Sequence, residues 1–200
     1  AKRFMYKGHE LVAVPHRLDE VRVLKNLGFT PPSPVDHYYA WPGQFAPFNA
    51  QRTTAAFLTL HERAFVLNDL GTGKTLATLW AYDYLRSVGK VNKLLVVAPL
   101  STLERTWADE VFENFAHLSW CVLHGSKEKR LKLLATEADV YIVNHDGVKI
   151  LADALKSRKD IDIVVIDEIA SFRNARTDRW KALNKVTQAR KWVWGLTGTP

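Results

Sequence analysis

Asn68-Asp69-Leu70-Gly71-Thr72-Gly73-Lys74-Thr75 is the stretch from which the rest of the chain is read. It follows an apolar run, Ala64 to Asn68, and precedes a helical pattern reaching about Val88, so that strand, glycine-rich turn and helix succeed one another. Glycines at 71 and 73 let backbone amides curl toward an anion, and the helix beyond presents its free N–H groups and positive dipole end to the same point. In such a phosphate cradle Lys74 reaches the β- and γ-phosphates of a nucleotide and the Thr75 hydroxyl goes to Mg²⁺. The strict pattern has glycine where Asn68 stands, and asparagine tolerates left-handed backbone better than most residues. The competing explanation is a glycine-rich turn with a chance Lys-Thr pair, and the strand before it and helix after it weigh against that.

Outward from this loop, short continuous apolar runs alternate with longer periodic ones, the pattern of parallel strands joined by crossover helices. The strands predicted are Ala64 to Asn68, Lys93 to Ala98, Trp120 to His124, Val140 to Asn144, Ile161 to Asp167 and Trp192 to Leu196. Leu94-Leu95-Val96-Val97 and Ile163-Val164-Val165-Ile166 are apolar on consecutive residues, which suits strands covered on both faces. Ser101-Thr102-Leu103-Glu104 reads as a capping box opening a helix from Thr102 to about Phe115. The expected fold class is therefore α/β, a mostly parallel sheet with helices on both faces.

The amino-terminal part reads differently. Met5 to Pro15 mixes polar and apolar residues, and a helical pattern with Val21, Leu24 and Leu27 on one side ends at Gly28. Thr30 to Pro47 is dense in proline and aromatics and should be irregular. We place the boundary there, with residues 1–44 as an appendage and linker and residues 45–200 as the α/β lobe.

Composition bounds what remains. A chain of 200 residues, 47% of them apolar, can bury one good core. The net charge of +7 favours an anionic partner without proving one. A single cysteine, Cys121, rules out an intramolecular disulfide or a cysteine metal cluster, which fits an intracellular setting. No apolar run approaches the ~20 residues that a helical membrane span needs.

A second motif completes the first. Ile163-Val164-Val165-Ile166-Asp167-Glu168 ends a buried strand in two carboxylates. Beside a nucleotide, Asp167 would hold Mg²⁺ and Glu168 would orient and polarise the attacking water. Taken alone, two solvated acids in a strand-end turn would read the same way.

With both motifs placed, the chain resembles the Swi/Snf-like branch of superfamily 2 helicase-type ATPases over about residues 45–200. Five segments carry the resemblance in order: the loop Asp69 to Thr75; Val97-Ala98-Pro99-Leu100-Ser101-Thr102-Leu103 with Trp107; Leu123-His124-Gly125-Ser126 with Arg130; Asp167-Glu168 with Arg173-Asn174; and Leu196-Thr197-Gly198-Thr199-Pro200. The resemblance implies a RecA-like P-loop NTPase lobe, with ATP in the cleft between it and a second such lobe. It implies ATP and Mg²⁺ as cofactors, double-stranded DNA as partner, and activity as a DNA-dependent ATPase and translocase of the helicase class.

Carried onto this chain, the ATP contacts would be Gln51 as the adenine-reading side chain, with Asp69, Leu70, Gly71, Thr72, Gly73, Lys74 and Thr75. Catalysis would fall to Lys74, Asp167 and Glu168, metal binding to Thr75 and Asp167, and coupling of nucleotide to DNA to Thr197, Gly198 and Thr199. DNA phosphates would meet strand-end loops at Ser101, Thr102, His124, Gly125, Asn144 and His145. Lys127, Lys129, Arg130 and Lys132 would extend that footprint, or else form an ordinary solvated helix face. Gln51 reads equally well as a buried or solvated glutamine opening a helix, and His124 as a structural histidine.

Where the family commonly has Asp-Glu-Ala-His, this chain has Asp167-Glu168-Ile169-Ala170. The acids for hydrolysis are kept, and a side chain often tied to coupling is not. The sequence stops at Thr-Gly-Thr-Pro, so a second lobe bearing paired arginines is expected beyond Pro200, and the lobe alone is expected to hydrolyse ATP hardly at all. Rival functions are a strand-separating helicase, a restriction-system motor, a nucleotide- or DNA-binding module without turnover, and a small-molecule kinase built on the same loop.

Overall fold

The computed structural model describes residues 2–69 and 71–198, which fall into two compact units dividing between Ala40 and Trp41. In the smaller unit, β1 (Lys2–Tyr6) and β2 (His9–Ala13) form an antiparallel hairpin. Its turn is Lys7-Gly8, both at positive φ, which gives the twist a two-residue hairpin needs. Helix α1 (Leu18–Asn26) ends where Phe29 N–H returns to Leu24 O and Gly28 N–H to Lys25 O, with Gly28 left-handed at φ +88°. That paired reverse bonding satisfies the last carbonyls of the helix. Helix α2 (Pro34–Tyr38) starts on a proline, whose missing N–H would have had no helical partner anyway.

In the larger unit, α3 (Asn49–Leu60) leads into β3 (Arg63–Leu67), and α4 (Lys74–Ser87) into β4 (Lys93–Ala98). A 3₁₀ turn (Leu100–Thr102), a π-helical turn (Leu103–Ala108) and α5 (Asp109–Asn114) carry the chain to β5 (Trp120–Val122). Helix α6 (Lys127–Ala135), β6 (Val140–Asn144), α7 (His145–Ser157) and β7 (Ile161–Asp167) follow. Another 3₁₀ turn (Ile169–Phe172), α8 (Asp178–Thr187) and β8 (Trp192–Thr197) complete the described order.

The six strands β3 to β8 are all parallel, in the order β3-β8-β7-β4-β6-β5. Every residue of β4 and β6 is buried, as the continuous apolar runs predict for strands covered on both faces. Leu95, Val97, Tyr141, Val143, Val164 and Ile166 share one core cluster with Leu151 and Leu155 of α7 and Leu183 and Val186 of α8. Leu94, Val96, Ile142, Ile163 and Val165 alternate with them and so face the other side of the sheet. The mostly parallel sheet and the helices on both faces are thus as expected.

Two local expectations need revision. No capping box forms at residues 101–104: the chain leaves β4 through the 3₁₀ and π turns, neither capped by a side chain, and the Thr102 hydroxyl donates to Pro99 O at 3.1 Å. Residues 41–44, counted with the linker on their prolines, are tied into the lobe. Trp80 donates its indole N–H to Pro42 O at 2.7 Å, and Trp41 meets Trp80 edge to face at 5.6 Å.

Because Leu95 is fully buried at the centre of the sheet, truncating it leaves a hole that neighbouring strands cannot close. Leu95→Ala should lower unfolding stability by about 2–5 kcal/mol, read from urea denaturation midpoints.

Candidate nucleotide and nucleic-acid site

Parallel strands put all their carboxyl ends on one edge of the sheet, and every described candidate residue lies there or beside it. Asn68, Asp69 and residues 71–73 follow β3, Ser101 and Thr102 follow β4, and His124 and Gly125 follow β5. Asn144 and His145 sit at the end of β6, Asp167 and Glu168 at the end of β7, and Thr197 and Gly198 at the end of β8. Leu70 and Thr199, also assigned to the site, lie outside the described residues.

The loop after β3 is built from its own polar groups. Gly71 and Gly73 adopt φ of +76° and +71°, conformations open to glycine at little cost. Gly73 is the N-cap of α4 and offers no side-chain cap, so the first N–H groups of this long helix face the loop. Lys74 folds back and donates from Nζ to Asn68 O and Asp69 O, both at 2.8 Å. Two carbonyl dipoles hold the ammonium without cancelling its charge, so an anion arriving at the loop meets a cation already in place.

Asn68, where the strict pattern has glycine, is not in the left-handed region. Its amide instead donates to Thr54 Oγ1 at 3.0 Å, and Thr54 donates on to Ala50 O at 2.8 Å. The departure thus ties the loop to α3. Gln51, at the first turn of α3, is buried; its Oε1 accepts from Phe48 N–H at 2.9 Å. Its Nε2 lies so close to Gly73 that an added Cβ there would stand 2.1 Å away. A recess of about 430 Å³ opens between Ala50, Thr53 and Thr54 of α3 and Asn68, Asp69 and Thr72 of the loop. Phe48, 76% exposed, stands at the start of α3.

Asp167 and Glu168 are on the same edge but not on the neighbouring strand: β8 lies between β3 and β7. Two strand spacings, ~10 Å, therefore separate the acids' strand from the loop's. Thr197, at the end of the intervening strand, donates to Glu168 Oε2 at 3.4 Å. Glu168 itself has φ +52° and ψ +52°, a left-handed conformation costing a non-glycine residue on the order of 1–3 kcal/mol. Strain of this kind persists only where surrounding structure enforces it.

The other three strand ends form a second group. Ser101 and His124 are exposed and border one recess with Leu100, Glu104 and Arg105, and Thr102, half-buried, stands beside Ser101 in the chain. Arg130, counted with the basic run, does not extend a surface. It is buried, donating from Nε to Gly125 O at 2.8 Å and from NH1 to Asn144 Oδ1 at 2.9 Å and Leu123 O at 2.5 Å. Asn144 and His145 are buried too, and His145 Nε2 lies 2.9 Å from Asp167 O. Any phosphate contact from residues 144 and 145 would come through backbone.

Two connections escaped the sequence reading. One is the Arg130 clamp; the other is Trp107, whose indole N–H donates to Asp167 Oδ2 at 3.0 Å. A buried indole must place its single donor somewhere, which was the only signal available. Ile169 and Ala170, in the place of the family's usual Ala-His, line an apolar groove of about 500 Å³ on the sheet face. Phe65, Leu67, Trp180 and Leu183 line it with them.

Does the site fit a Mg-nucleotide? Magnesium is commonly held by one or two carboxylates together with substrate phosphates, not by an all-protein cage. Among the described residues no three metal-ligating side chains cluster, while Thr75 and Asp167 supply one hydroxyl and one carboxylate on one edge. The uncapped helix and the Lys74 ammonium complement phosphate. The donor set fits.

Fold and site together define a P-loop-type α/β lobe, and comparison with known proteins gives the family. The profile of the SNF2-related domain family matches residues 50–200, and the chain belongs to that family. It is 33% identical over 166 residues to protein p41 of Acyrthosiphon pisum secondary endosymbiont phage 1, covering 78% of this chain and 36% of that protein. It is 29% identical over 167 residues to the ISWI chromatin-remodeling complex ATPase ISW1 of Saccharomyces cerevisiae, covering 79% of this chain and 14% of that protein. The Sulfolobus solfataricus SWI2/SNF2 ATPase core in complex with dsDNA superposes with a TM-score of 0.64 at 24% identity, over 80% of this chain and 33% of that one. This last likeness carries the fold. The Swi/Snf-like resemblance and the RecA-like architecture are thereby borne out, and the chain spans only a minor part of each relative.

His145 provides a pH test of the packing under the site. Burial, reinforced by the charge of Arg179, holds its imidazole below the ordinary value of 6.5, against the pull of the Asp167 carbonyl. The unfolded chain therefore takes up this proton first as pH falls, so the contribution is intact above about pH 6.5 and shrinks below it. Urea midpoints at about pH 7.5 and about pH 5.5 should differ less in His145→Asn than in the wild type; equal differences would contradict the burial of a neutral imidazole.

Proposed function

We propose that this lobe supplies the phosphate- and magnesium-binding half of a DNA-dependent ATP hydrolase that moves along double-stranded DNA inside the cell. The observation that carries the proposal is the common edge: a cationic, uncapped helix start after β3 and a carboxylate pair after β7, bridged by Thr197. No helix of the described residues is long and apolar enough to cross a membrane. Support for nucleic acid comes from the relatives, one an ATPase of a chromatin-remodeling complex and one an ATPase core bound to dsDNA.

In this reading Gly71, Gly73 and the first turn of α4 receive the phosphates through backbone amides. Lys74 leaves its two carbonyls for the β- and γ-phosphate oxygens. Thr75 and Asp167 face the metal, and Gln51, Asp69 and Thr72 border the nucleotide. Mg²⁺, when bound, neutralises charge on the phosphate oxygens and so lowers the cost of charge redistribution. Glu168 orients a water for attack and accepts its proton, its left-handed backbone aiming the carboxylate off the strand. Thr197 and Gly198 report the state of Glu168 to the strand edge. Ser101, Thr102, His124 and Gly125 offer hydroxyl, imidazole and backbone groups to DNA phosphates, contacts that position without reading sequence.

Transition-state arginines from a second lobe are worth ~10³ to 10⁵ in rate, so the lobe by itself should be nearly inactive. Residues 1–200 should bind a fluorescent ATP analogue, and Lys74→Ala should weaken that binding at least ~10-fold without altering the circular dichroism spectrum. In the full-length protein, Glu168→Gln should keep binding and lose duplex-stimulated hydrolysis. Unchanged turnover in that variant would overturn the catalytic assignment of Glu168, a wild type that binds ATP without hydrolysing it would favour a binding module, and turnover indifferent to duplex DNA would favour a small-molecule kinase.

A further inference from the structure

Among the described residues the Asp167 carboxylate has two donors, and neither is charged. Oδ1 accepts from Glu168 N–H at 3.1 Å, and Oδ2 accepts from the indole of Trp107 at 3.0 Å. A lysine or arginine in either place would spend the carboxylate's charge; a neutral donor fixes its orientation and leaves the charge for a cation. Trp107 is fully buried, and an indole has one donor and no acceptor, so this hydrogen bond is its whole polar commitment.

The backbone that aims the indole is irregular. Trp107 lies in the π-helical turn Leu103–Ala108, and such wide turns are rare and concentrate at functional sites. The turn belongs to the crossover leaving β4, while Asp167 ends β7, the strand paired with β4. The bond therefore crosses between adjacent strand ends, and His145, arriving from the end of β6, holds the Asp167 backbone carbonyl at 2.9 Å. Side chain and backbone of one residue are gripped by separate elements, more support than a solvated strand-end acid requires.

We propose that Trp107 is a positioning residue for a divalent cation at Asp167: its indole N–H holds the carboxylate in one rotamer with its charge unspent. The proposal rests on reading Asp167 as the metal-facing acid. Hydrogen-bond partners that orient metal ligands typically change metal affinity 10–100-fold when removed, so the effect is measurable at equilibrium, apart from turnover.

The test compares binding of ADP by isothermal titration calorimetry with Mg²⁺ and with EDTA, in the wild type, Trp107→Phe and Asp167→Asn. Trp107→Phe keeps an aromatic ring and removes the donor. It should reduce the Mg²⁺-dependent gain in affinity about 10-fold or more and leave binding in EDTA unchanged. An undiminished Mg²⁺ gain overturns the proposal, and so does an equal loss in both conditions, which marks a merely structural residue. If Asp167→Asn abolishes the gain while Trp107→Phe does not, only the role of Trp107 fails. If Asp167→Asn leaves the gain intact, the assignment of Asp167 fails as well. A measurement without any variant stands beside these: the ¹H–¹⁵N indole resonance of Trp107 should shift when Mg²⁺ is added to the ADP-bound protein, and an unmoved resonance overturns the proposal.

Discussion

The constraint on which everything else depends is the burial of β4 and β6 on both faces. Their amides and carbonyls can be satisfied only by neighbouring strands, and their side chains only by helices above and below. Parallel pairing meets both demands, because each strand must be followed by a crossover that lays a helix on the sheet. The same geometry forces every strand-to-helix loop onto one edge. The candidate phosphate loop, the carboxylate pair and the candidate nucleic-acid loops share that edge because the strands that carry them all run one way.

Strand order then divides the edge. The ends of β3, β8 and β7 carry the candidate nucleotide residues, and the ends of β4, β6 and β5 carry the candidate DNA residues. Asp167 sits at the seam, beside β4. Trp107 reaches it from the β4 crossover and His145 from the end of β6, so both connections run from the second group into the first. The family's usual histidine would have stood at residue 170; here Ile169 and Ala170 face an apolar groove.

Strands were legible in the sequence wherever burial on both faces leaves an uninterrupted apolar run, as at Leu94 to Val97 and Ile163 to Ile166. The loop at 68–75 was legible because glycine, lysine and threonine have separate physical jobs there. The β1–β2 hairpin was not, since its exposed strands have no buried face to impose alternation and its Lys7-Gly8 turn lacks the usual Asn-Gly signal. The π-helical turn was hidden because Ser101 and Glu104 have the spacing of a capping box, which the folded chain does not form. Arg130 looked like part of a basic surface until its guanidinium was found binding two carbonyls and Asn144. A long cationic side chain carries no sequence mark of which way it turns.

The central claim is that the loop after β3 and the acids after β7 embrace one metal-nucleotide across the end of β8. A crystal structure grown with Mn²⁺ and a non-hydrolysable ATP analogue measures this directly through the metal's anomalous signal. The account predicts a single strong peak at the carboxyl edge of the sheet, bonded to the Thr75 hydroxyl and facing Asp167, with the phosphates on the amides of residues 71–75. A metal peak away from Asp167, or phosphates seated elsewhere on the lobe, would contradict it.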